Sequence, residues 1–336
     1  MGNEYIEDKV TIEDVANALG TSKSTVSRAI SGKGRIGKET RERVLSYIKE
    51  HNYKPNPIAK GLSESKTYNI CWVVPGDSSM TALPFFQRCM AGVVDAASAE
   101  NYDILMGVVY DNNISHLKRI VSNHKVDGVI LGRTLINDES IPYLIESKVP
   151  FVAIGSTDYK DVVQIDNDHF KACNELTSIL IMKGIKKFAL IGGDSNHVVN
   201  RTRREGFLHA LKEQKIDITD DDIFMNCLSD EDVERATDTA LRNGAECLMC
   251  MDDGICSATI AKLKRDEVSI SEDIKIASFY NSELISNNQP TITALQYDPK
   301  ELGINACKTL FDILNGIEVE QKVMLSYEVQ LKSSTQ

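Results

Sequence analysis

The sequence lacks long hydrophobic runs: none approaches the roughly 18 to 20 apolar residues a helix needs to cross a bilayer, which excludes a helical membrane-spanning protein. At its start, MGNEYIEDKVTIEDVA, it lacks the basic flank and apolar stretch of a secretory signal. A cytoplasmic protein is therefore expected, with its eight cysteines reduced and no disulfides. Neither His-Glu-x-x-His, a Walker A loop nor Gly-x-Ser-x-Gly occurs, and the six histidines repeat no ligand spacing, so no cofactor or metal is expected. Cys247-x-x-Cys250 resembles half a zinc site, but it falls in a run that reads as a strand, where residues three apart point to opposite faces. What is present is 336 residues, 42% hydrophobic and 26% charged. At about 150 residues per domain, that is enough for two or three packed units without a disulfide or metal staple.

The net charge of −11 would argue against a nucleic-acid partner if it were evenly spread. Residues 1–66 carry 12 Lys and Arg against 9 Asp and Glu, whereas residues 67–336 carry 26 against 40. A small basic head on a large acidic body can meet a polyanion at one end while the body repels it.

The head reads as short helices. Thr11 precedes Ile12, Val15, Ala16 and Leu19, an i, i+3, i+4, i+7 stripe with Thr11-x-x-Asp14 as its cap, so a first helix runs to about Leu19. Gly20 and Thr21 allow only a tight corner before Ser22 caps a second helix over about Lys23 to Ser31, with Val26 and Ile30 inward. This is helix-turn-helix spacing. A third helix, about Lys38 to Asn52, closes the core with Val44, Leu45 and Ile48. The outward face of the second helix carries Lys23, Ser24, Thr25, Ser27 and Arg28, donors and acceptors suited to base edges and phosphates, and its first turn makes Lys23 and Ser24 the base readers. Gly32, Gly34 and Gly37 match G-x-G-x-x-G but follow a helix rather than a strand, and read as loop.

In NYKPNPIAKGLSESKT, Asn56 is a good cap and Pro57 a good first helical residue for a helix of about seven residues through Leu62. That is too short to persist alone, so the segment is expected to be disordered until DNA or a dimer partner orders it.

The runs VTIEDVANALGTSKSTVSRAISG, TRERV and NYKPNPIAKGL resemble the head and hinge of the LacI/GalR repressor family, nearly without gaps over residues 10–63. The resemblance implies phosphate contacts by Thr11, Ser22, Thr25, Ser27, Arg35 and Thr40, and major-groove reading by Lys23, Ser24 and Arg28. It implies an anchor at Asn56, and a minor-groove wedge by Leu62 with Ala59 that bends the duplex at a cost of a few kcal/mol in unstacking.

From Tyr68 onward, YNICWVV, DILMGVV, GVIL, FVAI, FALIGG, CLMCM and IKIASF read as buried parallel strands. They alternate with six helical stretches beginning at Phe86, Ile114, Phe170, Arg201, Asp230 and Gly254, the pattern of an open α/β sheet. Trp72, within the first strand, reads as core, and Asp220 to Asp222 as helix-start or loop charges. The family resemblance continues through VDGVI, VPFVAIGS, QIDND, RREGF and CMDD, and implies a two-lobed body like that of periplasmic sugar-binding proteins, with crossovers near Asp166, Gln296 and Ser326. The expected fold is thus a small all-α helix-turn-helix head plus an α/β two-lobed periplasmic-binding-protein-like body. Its divisions are a head over 1–55, a hinge helix and linker over 56–66 and a body over 67–336, with lobe 1 about 67–166 and 297–326 and lobe 2 about 167–296 and 327–336.

Ligands of open α/β sheets bind beyond the carboxyl ends of the strands. That address holds Pro75, Gly76 and Asp77, then Asp252 and Asp253, then Tyr280 and Asn281, while Phe85 and Phe86 could offer apolar surface. Each has a plain structural reading as well, a helix cap for Asp and core for paired Phe. The resemblance adds Arg203 as the effector-gripping arginine, with an inter-helix salt bridge as its plain alternative, and places Tyr280 where many relatives have an effector-holding aspartate. Together these give a cytoplasmic regulator, not an enzyme. It would be a homodimer on double-stranded palindromic operator DNA that represses carbohydrate-use genes under control of a small-molecule effector, a sugar or sugar derivative. The alternatives are an enzyme of sugar metabolism with an autoregulatory head, and a body that senses another protein such as a phosphocarrier.

Overall fold

Thr11 and Asp14 fix where the first helix begins. The Thr11 hydroxyl accepts from Asp14 N (3.3 Å) and the Asp14 carboxylate accepts from Thr11 N (2.8 Å), so two otherwise orphaned donors are satisfied at the start of α1 (Ile12–Ala18). The computed structural model describes residues 10–336 apart from 33, 55–56, 77–83 and 111–112, with the backbone alone at 57, 58, 60 and 63. The chain divides into two compact units, Met1–Thr67 and Tyr68–Gln336.

In the first unit, Gly20 turns the chain with a φ of +62°, a region costly for a residue with a Cβ. Ser22 then caps α2 (Lys23–Ser31) by accepting from Thr25 N at 3.2 Å. α3 (Lys38–Glu50) follows the loop that holds Gly32, Gly34 and Gly37. Val15, Ala16, Val26, Ala29, Val44 and Tyr53 form the core. Two expectations are corrected here. Leu45 is 43% exposed, because one residue on from Val44 the helix has turned by about 100° and carries it off the narrow core face. Tyr53, folded back with its N–H donating to Ile48 O (3.0 Å), is part of the core instead. α3 also ends two residues early, since Asn52 has a φ of +51°.

The hinge is helical here, as α4 (Pro57–Glu64), where a disordered free segment was expected. A proline at the first position presets φ, and Lys66 N donates to Gly61 O (2.9 Å) just beyond the last turn. Eight residues make few internal bonds, so a small free energy separates this helix from coil.

The second unit opens with β1 (Asn69–Pro75), α5 (Pro84–Ala99), β2 (Asp103–Val109), α6 (Ser115–Ser122), β3 (Gly128–Leu131), α7 (Ser140–Ser147), β4 (Phe151–Ile154) and β5 (Gln164–Asn167). It continues with α8 (His169–Met182), β6 (Phe188–Ile191), α9 (Val198–Glu213), β7 (Ile223–Phe224), α10 (Asp230–Arg242), β8 (Cys247–Cys250), α11 (Asp253–Arg265), β9 (Lys275–Ser278), α12 (Glu283–Ser286) and β10 (Thr293–Gln296). It closes with α13 (Pro299–Leu314), β11 (Lys322–Leu325) and β12 (Glu328–Gln330). One sheet has the order β11-β5-β4-β3-β1-β2, all parallel, and the other β12-β10-β9-β8-β6-β7, parallel except for β12. The chain leaves the first sheet after Asn167, returns after Gln296 and leaves again after Leu325.

Alternation along β1 supplies both faces of the first sheet. Ile70, Trp72 and Val74 pack with α5 and α13, while Cys71 and Val73 pack with α6 and α7. Trp72 is fully buried. Helices α5 and α13 approach so closely that a Cβ on Gly92 would lie 2.0 Å from Lys300 O and one on Gly303 2.1 Å from Cys89 O. The second sheet has one continuous core, which includes Phe207, Phe279, Cys247 and Cys250. No cluster of three or more His, Cys, Asp or Glu suited to a metal occurs among the described residues. Asp220–Asp222 form a single 3-10 turn. The strands β5, β7, β10, β11 and β12 and the helices α7, α12 and α13 were not anticipated from the sequence.

Candidate functional site

Two groups of residues carry chemistry, one in each unit. In the first unit, Ser22, Lys23, Ser24, Ser27, Arg28 and Arg35 are exposed, and Thr25 and Thr40 are half-buried. Ser22 is both cap and hub: its Oγ lies 2.8 Å from Ser24 Oγ and 2.9 Å from Thr25 Oγ1. Thr11 is engaged in its capping box, its hydroxyl donating to Asp14 (2.6 Å). Lys23 Nζ pairs with Glu13 at 2.9 Å between two exposed side chains. Such a pair is worth about 0 to 1 kcal/mol, so Lys23 is readily exchanged onto another anion or a base edge. Ala59 is exposed, and Leu62 presents an apolar side chain that is 85% exposed. Asn56 lies outside the described residues.

In the second unit, Arg203 on α9 is 7% exposed and donates from Nη1 to Met251 O at 2.7 Å, while its Nε has no hydrogen-bond partner among the described residues. The inter-helix salt bridge given as its alternative is not among the ion pairs of the described residues. Asp252 caps α11 by accepting from Ile255 N (2.8 Å). Asp253, 2% exposed, accepts from Gly254 N on one oxygen and leaves Oδ2 without a partner among the described residues. Burial pushes both carboxyls up, opposed for Asp252 by backbone N–H groups and Arg203, and for Asp253 first by the Ser282 hydroxyl.

Aromatic rings link the lobes of this unit. Phe86 and Phe85, in the first turn of α5, meet edge to face at 5.2 Å, and Phe85 meets Tyr280 at 6.0 Å. Tyr280 stacks on Tyr297 at 6.3 Å, and Tyr297 meets the His169 ring at 4.9 Å. Burial raises the Tyr280 and Tyr297 phenols, which therefore stay protonated donors. Burial and then Arg203 depress His169, leaving a neutral ring whose Nδ1 lies 3.2 Å from the Tyr297 hydroxyl and whose Nε2 lies 3.5 Å from Asp166. Ser156 donates to the other Asp166 oxygen at 2.9 Å.

Beside Tyr297 a cavity of about 340 Å³ opens among the crossover segments, lined by Arg88, Asn167, Gln296, Ser326 and Tyr327 among others. Asn167 is 2% exposed, and neither its Nδ2 nor its Oδ1 has a partner among the described residues. Asn281 donates to Gln296 Oε1 (2.8 Å) and leaves its own Oδ1 unpaired in the same sense. Two rims hold the lobes together. At one, Ile136 N donates to Asn196 O (2.8 Å) and Arg201 pairs with Asp158 (3.0 Å); at another, Arg88 pairs with Glu283 (2.5 Å).

The structure therefore brings Phe85, Phe86 and Tyr280 into one row of rings. Arg203 and Asp253 stand near Tyr280 but do not line the cavity, and Asp77 lies outside the described residues. Sequence reasoning missed Asn167, His169, Gln296 and Tyr297 as site residues. The rule of looking past strand ends would have found them had β5 and β10 been recognised.

Residues 11–56 match the family described as bacterial regulatory proteins, lacI family, and residues 67–333 match the family described as periplasmic binding proteins and sugar binding domain of LacI family. Catabolite control protein A of Staphylococcus epidermidis is 28% identical over 333 residues, covering 97% of this chain and 99% of its own. A solved structure of a putative transcriptional regulator LacI from Bacillus cereus subsp. cytotoxis is 25% identical, with a TM-score of 0.75, over 79% of this chain and 98% of that one. The lac repressor dimer bound to operator and the anti-inducer ONPF has the same fold at 21% identity, with a TM-score of 0.83, over 98% and 99% of the two chains.

Proposed function

The chain belongs to the LacI family of bacterial regulatory proteins, and we propose that two copies of it hold a palindromic operator while each body binds a sugar or sugar derivative. It is a DNA-binding transcription regulator, a repressor responsive to a small-molecule effector, and not an enzyme. The observation that carries the DNA side is the exposed face of α2, where Lys23, Ser24, Ser27 and Arg28 stand free of the core on a helix capped at Ser22. In such a motif the first turn enters the major groove, Lys23 leaves Glu13 for a base edge, and Ser22, Thr25, Ser27, Arg35 and Thr40, with Thr11, hold phosphates.

Residues 1–55 act as the head, 56–66 as the hinge and 67–336 as the sensor, its lobes divided at the three crossovers. Leu62 serves as the wedge, with Ala59 beside it, because an apolar side chain this exposed at the end of a short helix gains most by entering an unstacked base step. In the body, Arg203, Asp253, Tyr280, Phe85 and Phe86 hold the effector, with Asp77 and Asn56 completing the two sites on the strength of the sequence. No helix among the described residues is long and apolar enough to cross a membrane, which supports a cytoplasmic setting.

The test is selection of duplexes from a random pool by the full chain. A palindrome should emerge that binds about 10³-fold or more tighter than a scrambled duplex at the same salt, and equal affinity for both contradicts the reading.

A further inference from the structure

The start of α2 carries donors and hydroxyls: Ser22, Lys23, Ser24 and Thr25, with Arg28 a turn further on. An anionic side chain stands against them. Glu13, in the first turn of α1, places its carboxylate 2.9 Å from Lys23 Nζ, and the two side chains are 60% and 57% exposed. The neighbouring Asp14 is committed to the Thr11 cap.

A carboxylate at this place is a cost that folding does not explain. An exposed ion pair adds little to stability, and on a surface that meets a polyanion it cancels a cation and repels phosphates. The dipole of α1 favours an acid in its first turn, but Asp14 already supplies one. What Glu13 adds is an acceptor that does not donate, whereas lysine and arginine only donate and hydroxyls do both.

The major groove gives such an acceptor one good partner beside Lys23. A guanine edge presents two acceptors, N7 and O6, and the cytosine paired with it presents the N4 amino donor. Lys23 suits the guanine and Glu13 the cytosine of one base pair. An A·T pair also has a donor, adenine N6, but it gives Lys23 one purine acceptor instead of two and sets thymine O4 against the carboxylate. Acceptor against acceptor repels, so the same group that selects cytosine rejects thymine. When Lys23 exchanges Glu13 for guanine, the released carboxylate needs a donor, and cytosine N4 supplies it.

We propose that Glu13 is a specificity-determining residue of the head, accepting from cytosine N4 in the G·C pair whose guanine Lys23 takes; this rests on the reading of Lys23 as a base reader given above. On other sequences the released carboxylate finds no donor and lies among phosphates. Glu13 therefore strengthens binding to the operator and weakens binding to the rest of the DNA.

Anisotropy titrations of the full chain at one salt concentration, on the selected palindrome and on a scrambled duplex, test this with Glu13→Ala and Glu13→Gln. Glu13→Ala should lower operator affinity about tenfold and raise affinity for the scrambled duplex, a change of opposite sign. Glu13→Gln keeps an acceptor oxygen without the charge, so it should recover most of the operator loss while still raising affinity for the scrambled duplex. Replacing each base pair of the half-site in turn should reveal one G·C pair whose change to A·T costs the natural chain about tenfold more than it costs Glu13→Ala. Both variants should keep the thermal transition, because the cap of α1 rests on Thr11 and Asp14; should Glu13→Ala fail to fold, Glu13→Gln on the scrambled duplex and the base-pair series decide. Affinity that rises alike on both duplexes makes Glu13 a general electrostatic brake and overturns the inference, as does unchanged affinity on both or the absence of such a G·C position. Where Lys23→Ala relaxes base choice and the Glu13 variants do not, this inference alone falls; where Lys23→Ala leaves base choice untouched, the base-reading role of Lys23 falls with it.

Discussion

In the first unit, the side chains proposed to meet DNA lie mostly exposed on and around α2, over a small core of six buried apolar residues among the described ones. The body is the reverse: its polar chemistry is buried at the ends of strands from two sheets, with polar atoms that have no hydrogen-bond partner among the described residues held inside a large packed core. The difference follows from what each must recognise. A duplex is a large charged surface that can be read from outside, so exposed Lys, Arg and Ser suffice. A small ligand must be surrounded and desolvated, so its partners must be prepared in the interior. Substitutions in the head should therefore change binding with little effect on stability, and substitutions in the body should change both.

The largest expected effect is on the body. Trp72→Ala removes a fully buried ring between β1 and α5, and should destabilise this unit by about 3 to 5 kcal/mol, read as a lowered unfolding midpoint in denaturant. A loss below about 1 kcal/mol would mean that the packing around β1 is loose. On the other side, Lys23→Ala with Ser24→Ala should cost about 1 to 3 kcal/mol of operator affinity per specific contact, leave binding to random duplex nearly intact and leave the unfolding midpoint unmoved. Equal losses on operator and random DNA would remove these residues from base reading.

Arg203→Ala lies between. It should abolish the response to effector and, by removing a buried charge-assisted bond to Met251 O, lower body stability by about 1.5 to 3 kcal/mol. Calorimetry showing unchanged ligand affinity would take Arg203 out of the site. Leu62→Ala is smaller still: operator bending and specific affinity should fall while effector affinity in the absence of DNA stays the same. Amide exchange over residues 57–64 should show added protection on operator binding, and no added protection would remove the hinge from the switch.

The smallest effect is on pH dependence. His169 is held below its ordinary value of 6.5 in the folded body, so on acidification the unfolded chain takes up the proton first. Its contribution to stability is complete above about pH 6.5 and is lost as the pH falls from there toward the lowered folded value. Asp166, also lowered because its His169, Ser156 and Asn167 partners together outweigh burial, adds a loss of the same sign at lower pH. His169→Phe should flatten unfolding curves just below pH 6.5, and an unchanged slope there would show that the ring is already protonated in the native body.

How much could be read from sequence divides along the same line. The head was legible because its capping residues, turn and recognition face are contiguous: Thr11, Ser22 and the stripe through Val15 and Val26 are local signals. The hinge helix was legible from Pro57 and the length of the run, and the chain is helical there over Pro57–Glu64. The body's strands were legible where they are apolar on both faces, as in β1, β6 and β8. β5 was not, since Gln164-Ile165-Asp166-Asn167 is polar in composition and buried only because both neighbouring strands and a lobe crossover cover it. Losing β5 and β10 meant losing Asn167, Gln296 and Tyr297. α13 carried a stronger signal, with Asp298 as cap, Pro299 next and Leu302, Ala306 and Leu310 at helical spacing. Phe85, Phe86 and Tyr280 were placed at one ligand address from the sequence, but the continuation of the ring row through Tyr297 to His169 was not, because it joins two crossovers far apart in the chain.

The central claim is that ligand binding inside the body governs DNA binding by the head. Fluorescence anisotropy of a labelled operator, titrated with the full chain with and without a bound sugar, measures this directly. Sugar should shift operator affinity by about 5- to 150-fold for the natural chain, leave affinity for random duplex unchanged, and shift nothing in Arg203→Ala. An operator affinity indifferent to a sugar that calorimetry shows to be bound, or an equal shift in Arg203→Ala, would contradict the account.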